Sequence, residues 1–280
     1  MMTAMSVSKP IAWLAHLLDK LGAVLRRDVL VALRYRAGLG LAAAGAVLEI
    51  AGLYYLSRAI GPSFRPEGIN SYPFLLVGTG LYTFILMGIS SFLAAVQEAQ
   101  QAGTLEVLMT APTGGSTVLL LSAVSSLGGK GLAFSAYVAG GLALGGVRLP
   151  QGNLLAAGMV LVLSFMLAAA LGMGTAAVQL LTQKGSAILW LLGSALWMLA
   201  GAMFPISTLP RWLQFLSLSI PITHALTAMR LALFSSGLTH SLLSEIAVLA
   251  AFTVLLLPSS VLLFEKAVRY ARLSGSLSYY

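Results

Sequence analysis

The chain has no cysteine, so disulfides, iron–sulfur clusters and thiol chemistry are excluded. Charge is nearly as scarce. Asp, Glu, Lys and Arg make up only 9% of the 280 residues, and just 8 residues are acidic. A soluble protein of this length needs more charge on its outside. No Gly-rich segment ends in Lys-Ser or Lys-Thr, the pattern that cradles nucleotide phosphates. Gly128-Gly129-Lys130-Gly131 lacks the spacing and the hydroxyl residue, and it sits in an apolar run. The chain therefore cannot hydrolyse ATP alone, and energy must come from a partner chain or an ion gradient. His16, His224 and His240 lie far apart and fit no metal-binding spacing. No Ser/His/Asp arrangement stands out. We assign no catalytic residue, no metal ligand and no cofactor to this chain.

What is abundant is apolar. Hydrophobic residues make up 59% of the chain, in runs near 38–60, 72–95, 115–147, 153–180, 186–204 and 241–264. Each is near or above the roughly 20 residues that a helix needs to cross a hydrocarbon core. This predicts an integral, polytopic membrane protein. Glycine is frequent, with 29 residues, many inside the runs. Between membrane helices glycine allows close backbone approach, and Gly141 to Gly145 and Ala170 to Gly174 have small-xxx-small spacing. The formal charge of +8 gathers near membrane ends, where it suits anionic lipid headgroups. No basic patch is interleaved with exposed aromatics, so nucleic acid is not an expected partner.

The flanks set an orientation. Lys9, Lys20, Arg26, Arg27, Arg34 and Arg36 precede the first run, and Lys266, Arg269 and Arg272 follow the last. Six spans put both ends on one side, and the positive-inside rule makes that side cytoplasmic. Residues 10–34 read as an amphipathic helix lying in the cytoplasmic interface, because Trp13, Leu14, Leu17, Leu18, Leu21, Leu25 and Val29 recur at helical spacing. The third run has three readings: a long tilted helix with a snorkelling Lys130, a helix starting near Leu127 after a surface segment, or a re-entrant pair. In the outer segment 205–236, Pro210 and Pro221 each open a short stretch, since proline pre-sets a first helical turn and forbids helix continuing through it. We expect one or two short helices there that dip partway into the outer leaflet. Trp212 and His224 suit an interface, and Glu245 at the start of span six reads as interfacial too.

Two further features carry function. The polar segment 97–112 falls between spans two and three. There Glu98 and Glu106 stand out among scarce acids, Leu105, Leu108 and Met109 offer an apolar edge, Thr104 can cap a helix and Pro112 can end one. Such an element can dock in a partner's groove and carry force to the flanking spans; the alternative is a solvated loop. Glu49 lies in the middle of span one, where a carboxylate is costly and must face a protein interior, a cavity or a partner. We expect Glu49 to line an intersubunit path or touch a polar part of the substrate, with Tyr54 and Tyr55 one to two turns onward, and Gln179 near the inner end of span four to play a similar part. The alternative for Glu49 is a hydrogen bond that locks helix packing.

The segment "QAGTLEVLMTAP" resembles the first cytoplasmic loop of ABC-2 type transporter permeases, and "GAMFPISTLPRWLQFLSLSIPITHALTAMR" resembles that family's outer hairpin. The resemblance spans nearly the whole chain. It implies an all-α membrane protein similar to type V ABC exporters: six transmembrane helices, an N-terminal interfacial helix, and a short outer re-entrant hairpin between helices five and six. The divisions are a tail and interfacial helix at 1–36, a transmembrane domain at 37–264, and a cytoplasmic tail at 265–280. By position, Glu98, Gly103, Thr104, Leu105, Glu106, Leu108 and Pro112 take the ATPase-coupling role, with Arg26 and Arg27 of the N-terminal helix. Phe204, Pro205, Pro210, Trp212, Pro221, His224 and Arg230 fall in the outer hairpin.

The resemblance also implies partners: two copies of an ABC ATP-binding subunit carrying ATP and Mg, a second, identical permease subunit, membrane lipid and an amphiphilic substrate. The setting it implies is a bacterial cytoplasmic (inner) membrane with both termini cytoplasmic. The expected function is the permease subunit of an ATP-driven drug or lipid exporter. The alternatives are export of a lipid-linked polysaccharide of the O-antigen or teichoic-acid type, an ion-coupled carrier, and a membrane scaffold or assembly factor.

Overall fold

The computed structural model describes residues 36–103, 115–147, 153–182, 184–235 and 237–274, and residues 22, 26, 30 and 34 singly. Five long helices come first: α1 Arg36–Ile60, α2 Ser71–Gln101, α3 Gly115–Leu144, α4 Leu154–Thr182 and α5 Gly185–Leu199. Two short ones follow, α6 Arg211–Leu218 and α7 Pro221–Phe234, and then α8, His240–Ser274. Every apolar run of the sequence contributes a helix.

Helices α2 and α4 form the centre. In α2, 61% of the most apolar stretch is buried, against 11% in α1, so α2 is an interior shaft and α1 a peripheral stave. Helix α4 packs along both α2 and α8, α3 lies along α2, and α7 wedges between α2, α4 and α8. Large apolar side chains such as Leu41 and Leu48 on α1, and Val254 and Leu255 on α8, point outward. That surface suits hydrocarbon and not water.

By length and composition, α1, α2, α4 and α8 can each cross a membrane, and a fifth crossing follows if the bent pair α6–α7 is taken as one span. Helix α3 has 30 residues with Lys130 near its middle, and α5 has 15. The two short helices meet at 85°. Pro210 stands just before α6 and Pro221 opens α7, so the prolines set these starts. Gln214 Nε2 ties the start of α6 to the preceding turn by donating to the Leu209 carbonyl at 2.7 Å.

Three elements run differently from a reading of hydropathy. Helix α2 continues past 95 to Gln101, because Val96, Ala99 and Gln100 still face the core. It stops where Gly103 takes φ +64, with the Gly103 N–H donating to the Gln100 carbonyl, a left-handed terminus that glycine adopts without strain. Helix α8 likewise continues past 264, burying Phe264, Ala267, Val268 and Ala271 while Glu265, Lys266 and Arg269 stay exposed. Helix α3 is one unbroken helix, and Lys130 turns toward α2 instead of snorkelling to an interface.

The small-residue spacings resolve unequally. Gly141 and Gly145 face α2: a Cβ at Gly145 would come within 2.2 Å of the Tyr72 ring, and the Tyr72 hydroxyl donates to the Gly141 carbonyl at 2.7 Å. In α4 the close approach is made by Gly172 under Phe92, whereas Gly174 has open space beside it.

Candidate functional site: two membrane-level cavities and a buried polar frame

Helices α2 and α5 diverge enough to leave a groove of about 830 Å³. From α2 it is lined by Tyr82, Leu86, Ser90, Leu93 and Gln97, which recur every three or four residues and so share one face. From α5 it is lined by Ser186, Trp190, Gly193 and Trp197, spaced in the same way. The walls are mostly apolar. Trp190 and Trp197 present exposed rings one above the other, two turns apart. The Tyr82 hydroxyl donates to the Gly193 carbonyl and ties the two walls together.

The end of the groove nearest the 103–115 connection is closed by amides. Gln97 Nε2 donates to Ser186 Oγ at 2.6 Å and reaches Gln179 Oε1 at 3.5 Å. Gln179 Nε2 donates to Gln100 Oε1 at 3.1 Å. This ladder joins α2, α4 and α5 near the C-terminal end of α2. Buried amides left unbonded cost free energy, so the ladder fixes the relative rotation of three helices.

A second cavity, of about 400 Å³, lies between α1, α2 and α3 and contains Glu49 and Lys130. Met87 borders both cavities. Lys130 Nζ donates to the Met87 carbonyl at 2.8 Å and to the Ser91 hydroxyl.

The bent pair α6–α7 is held by Arg230. Its side chain is 2% exposed. Nη2 donates to the Ala202 carbonyl at 2.8 Å and the Gly201 carbonyl at 3.0 Å, and the guanidinium lies 3.5 Å from the centroid of the Phe74 ring. Gly201 and Ala202 follow the C-terminal end of α5, where the helix dipole is negative, so the buried cation meets partial charge of opposite sign. His224 is buried. Its Nδ1 lies 2.6 Å from Glu245 Oε2 and its Nε2 lies 2.9 Å from the Leu218 carbonyl. Glu245 thereby anchors the bent pair on α8.

The residues singled out in the sequence divide accordingly. Glu49 lines the second cavity. Tyr54 packs edge-on against Tyr72 with ring centroids 5.6 Å apart, Tyr55 points outward, and neither borders the groove or the second cavity. Gln179 is wholly buried in the amide ladder behind the groove wall. Glu98 is exposed on the last turns of α2, and Arg26 is exposed on a helical segment. Thr104, Leu105, Glu106, Leu108, Pro112 and Arg27 lie outside the described residues. Phe204 is half-buried, Pro205 is buried, and Pro210 and Trp212 are exposed on the hairpin. Sequence reasoning passed over Tyr82, Trp190 and Trp197, took Gln97 only as the start of the polar segment, and weighed Lys130 only for the course of the third run. The seven-residue interval between the two tryptophans was the available signal for a shared helix face.

Among the described residues no group of three or more His, Asp or Glu is placed to hold a metal ion. The cavities are mostly apolar grooves with few polar groups. Fold and site together define a multi-pass, all-α membrane protein. The family described as "ABC-2 type transporter" matches residues 20–234, well over half the chain, and the chain belongs to that family. No curated protein matches it at a significant level.

Proposed function

We propose that this chain is the transmembrane permease subunit of an ATP-driven exporter that moves a hydrophobic or amphiphilic substrate across a bacterial cytoplasmic membrane. The observation that carries this reading is the α2–α5 groove, apolar along its walls and closed by the Gln97–Ser186 contact at the end that leads to the coupling segment. Apolar walls with few polar selectors suit amphiphile binding. The amide ladder gives a route by which a push on 98–112 rotates α2 against α5 and changes the width of the groove.

In this reading α1, α2, α3, α4, α5 and α8 are the six spans, the bent pair dips into the outer leaflet, and both termini are cytoplasmic. Two ATP-binding subunits, carrying ATP and Mg, contact Arg26, Arg27 and the element from Glu98 through Gly103 to Pro112. A second, identical permease subunit faces the α1, α2 and α5 side, so that Glu49 and the groove border a shared path. Gln179 acts behind the wall rather than on the substrate.

Trp190 and Trp197 favour one second reading, export of a lipid-linked polysaccharide, because sugar rings stack on flat aromatic faces. Trp197→Leu separates the two. It leaves amphiphile efflux nearly intact if the wall need only be apolar, and it abolishes polysaccharide export if stacking is required.

The deciding experiment is mild-detergent purification followed by reconstitution. Co-purification of an ATP-binding subunit whose substrate-stimulated hydrolysis is lost on Glu106→Arg supports the exporter. Solute movement down an ion gradient without any ATPase overturns it. A stable complex with no flux assigns the chain to scaffolding.

A further inference from the structure

The cavity between α1, α2 and α3 is built from three matched faces. Helix α1 contributes Ala42, Ala46 and Glu49; α2 contributes Gly80, Thr83, Phe84 and Met87; α3 contributes Lys130, Ala133, Phe134 and Tyr137. All three sets follow helical face spacing; the small residues Ala42, Ala46 and Ala133 leave space that larger side chains would fill, whereas Gly80 lets the Tyr137 ring pack directly against α2. Its volume of about 400 Å³ lies in the range of small-molecule sites.

The charges sit at opposite ends. Helices α1 and α3 run the same way, and α2 runs against them. Lys130, held by Met87, therefore marks the end nearer the 103–115 connection, and Glu49, Gly80 and Tyr137 mark the end nearer the 60–71 connection. Lys130 and Tyr137 are seven residues apart, which is about 10 Å along a helix. Lys130 bonds only neutral oxygens, and among the described residues neither Glu49 nor Lys130 has an opposite charge at ion-pair distance. Lys130 is half-buried and Glu49 is exposed; charges set in an apolar groove without a counter-charge mark the groups that a ligand of opposite sign can neutralise. Between the poles lie Phe84 and Phe134, with ring centroids 5.7 Å apart.

We propose that this chamber binds an elongated zwitterion: an amine at Glu49 and Tyr137, an acid at Lys130, and an apolar body about two helical turns long against the Phe84–Phe134 pair. The proposal rests on the permease reading only in naming this ligand as cargo; binding itself does not require an ATPase.

The test is equilibrium dialysis of radiolabelled ω-aminooctanoate against the full chain in maltoside micelles, with empty micelles as reference. Octylamine, octanoate and the short γ-aminobutyrate are the comparison ligands. The expected result is binding of ω-aminooctanoate at least tenfold tighter than of octylamine or octanoate, with no such gain for γ-aminobutyrate. Glu49→Gln brings the affinity to that of octanoate, and Lys130→Met brings it to that of octylamine. Glu49→Asp and Lys130→Arg serve as variants that keep the charges if the first pair unfolds, and they retain the preference for the zwitterion. Equal binding of octylamine and ω-aminooctanoate overturns the proposal, as does an unchanged affinity in Glu49→Gln. Dissociation of a dimer on sedimentation of Glu49→Gln also overturns it, because Glu49 then serves a second copy. A failure of binding with ATPase co-purification intact removes the chamber's role alone; the reverse outcome removes the exporter reading alone.

Discussion

Arg230 occupies the space that a side chain at Gly78 would need. A Cβ at position 78 would fall 2.2 Å from Arg230 Nη2 and 2.1 Å from the Ala202 oxygen that the same nitrogen bonds. The missing side chain on α2 is thus the socket for a guanidinium on α7, and three elements meet where one atom more would not fit.

Gly78→Ala should therefore destabilise the protein, by about 1–3 kcal/mol or more, as overpacked sites do. Gly174→Ala, with open space beside it, should be close to neutral. Thermal unfolding followed by size-exclusion fluorescence compares the two directly. Equal melting temperatures would refute the socket.

Arg230→Met removes the donors to Gly201 and Ala202 and leaves those buried carbonyls unpaired. Bonds to charged groups contribute about 1.5–3 kcal/mol each. Arg230→Lys keeps the charge but not the planar fork, so it should recover only part of the loss. The readout is the monodisperse fraction after detergent extraction, ordered wild type, then Lys, then Met.

His224 has an acceptor at each ring nitrogen, and a neutral imidazole can donate to only one of them. The hairpin as built therefore holds an imidazolium, which donates from Nδ1 to Glu245 and from Nε2 to the Leu218 carbonyl. Rising pH removes one proton, keeps Nδ1–H on the carboxylate, sets the Nε2 lone pair against the Leu218 carbonyl, and loosens the corner between α6 and α7. Because the chain lacks cysteine, a single nitroxide at Leu218→Cys reports this directly. Label mobility should rise between mildly acid and alkaline buffer. In Glu245→Gln, whose amide can donate to Nδ1, mobility should be independent of pH.

Gln97→Leu cuts the ladder at its hinge with Ser186 while keeping the bulk of the side chain. If the ladder transmits the push of the coupling segment, reconstituted complexes should keep basal ATP hydrolysis and lose its stimulation by substrate. Unchanged stimulation would show that the groove opens by another route.

Much of the architecture was legible in the sequence because it is written in local terms. Apolar run length marked every long helix. Pro210 and Pro221 marked the starts of α6 and α7, since proline acts on its own backbone. Gly141 and Gly145 marked a close approach, though only the structure names Tyr72 as what approaches. The remainder depends on which residues meet across the chain. His224 and Glu245 lie in different elements, and nothing local says that an interfacial-looking histidine is buried by a carboxylate on the next helix. The ladder needs Gln97, Gln100, Gln179 and Ser186 from three helices. Ala170 to Gly174 has the right spacing, but its rotation about α4 puts Gly172, not Gly174, under Phe92. The ends of α2 and α8 were set short because hydropathy averages a helix whose one face turns polar while the other stays packed.

The Arg230 socket also has a direction in time. Phe74, Gly78, Gly201 and Ala202 all precede Arg230 in the chain, so a ribosome delivers the whole receptacle to the membrane before the guanidinium emerges. The costliest charge in the hairpin then arrives at a berth already made and has no need to linger among acyl chains. A circular permutation that placed α7 ahead of α2 would reverse that order, and the finished protein's stability would no longer guarantee that it could be inserted.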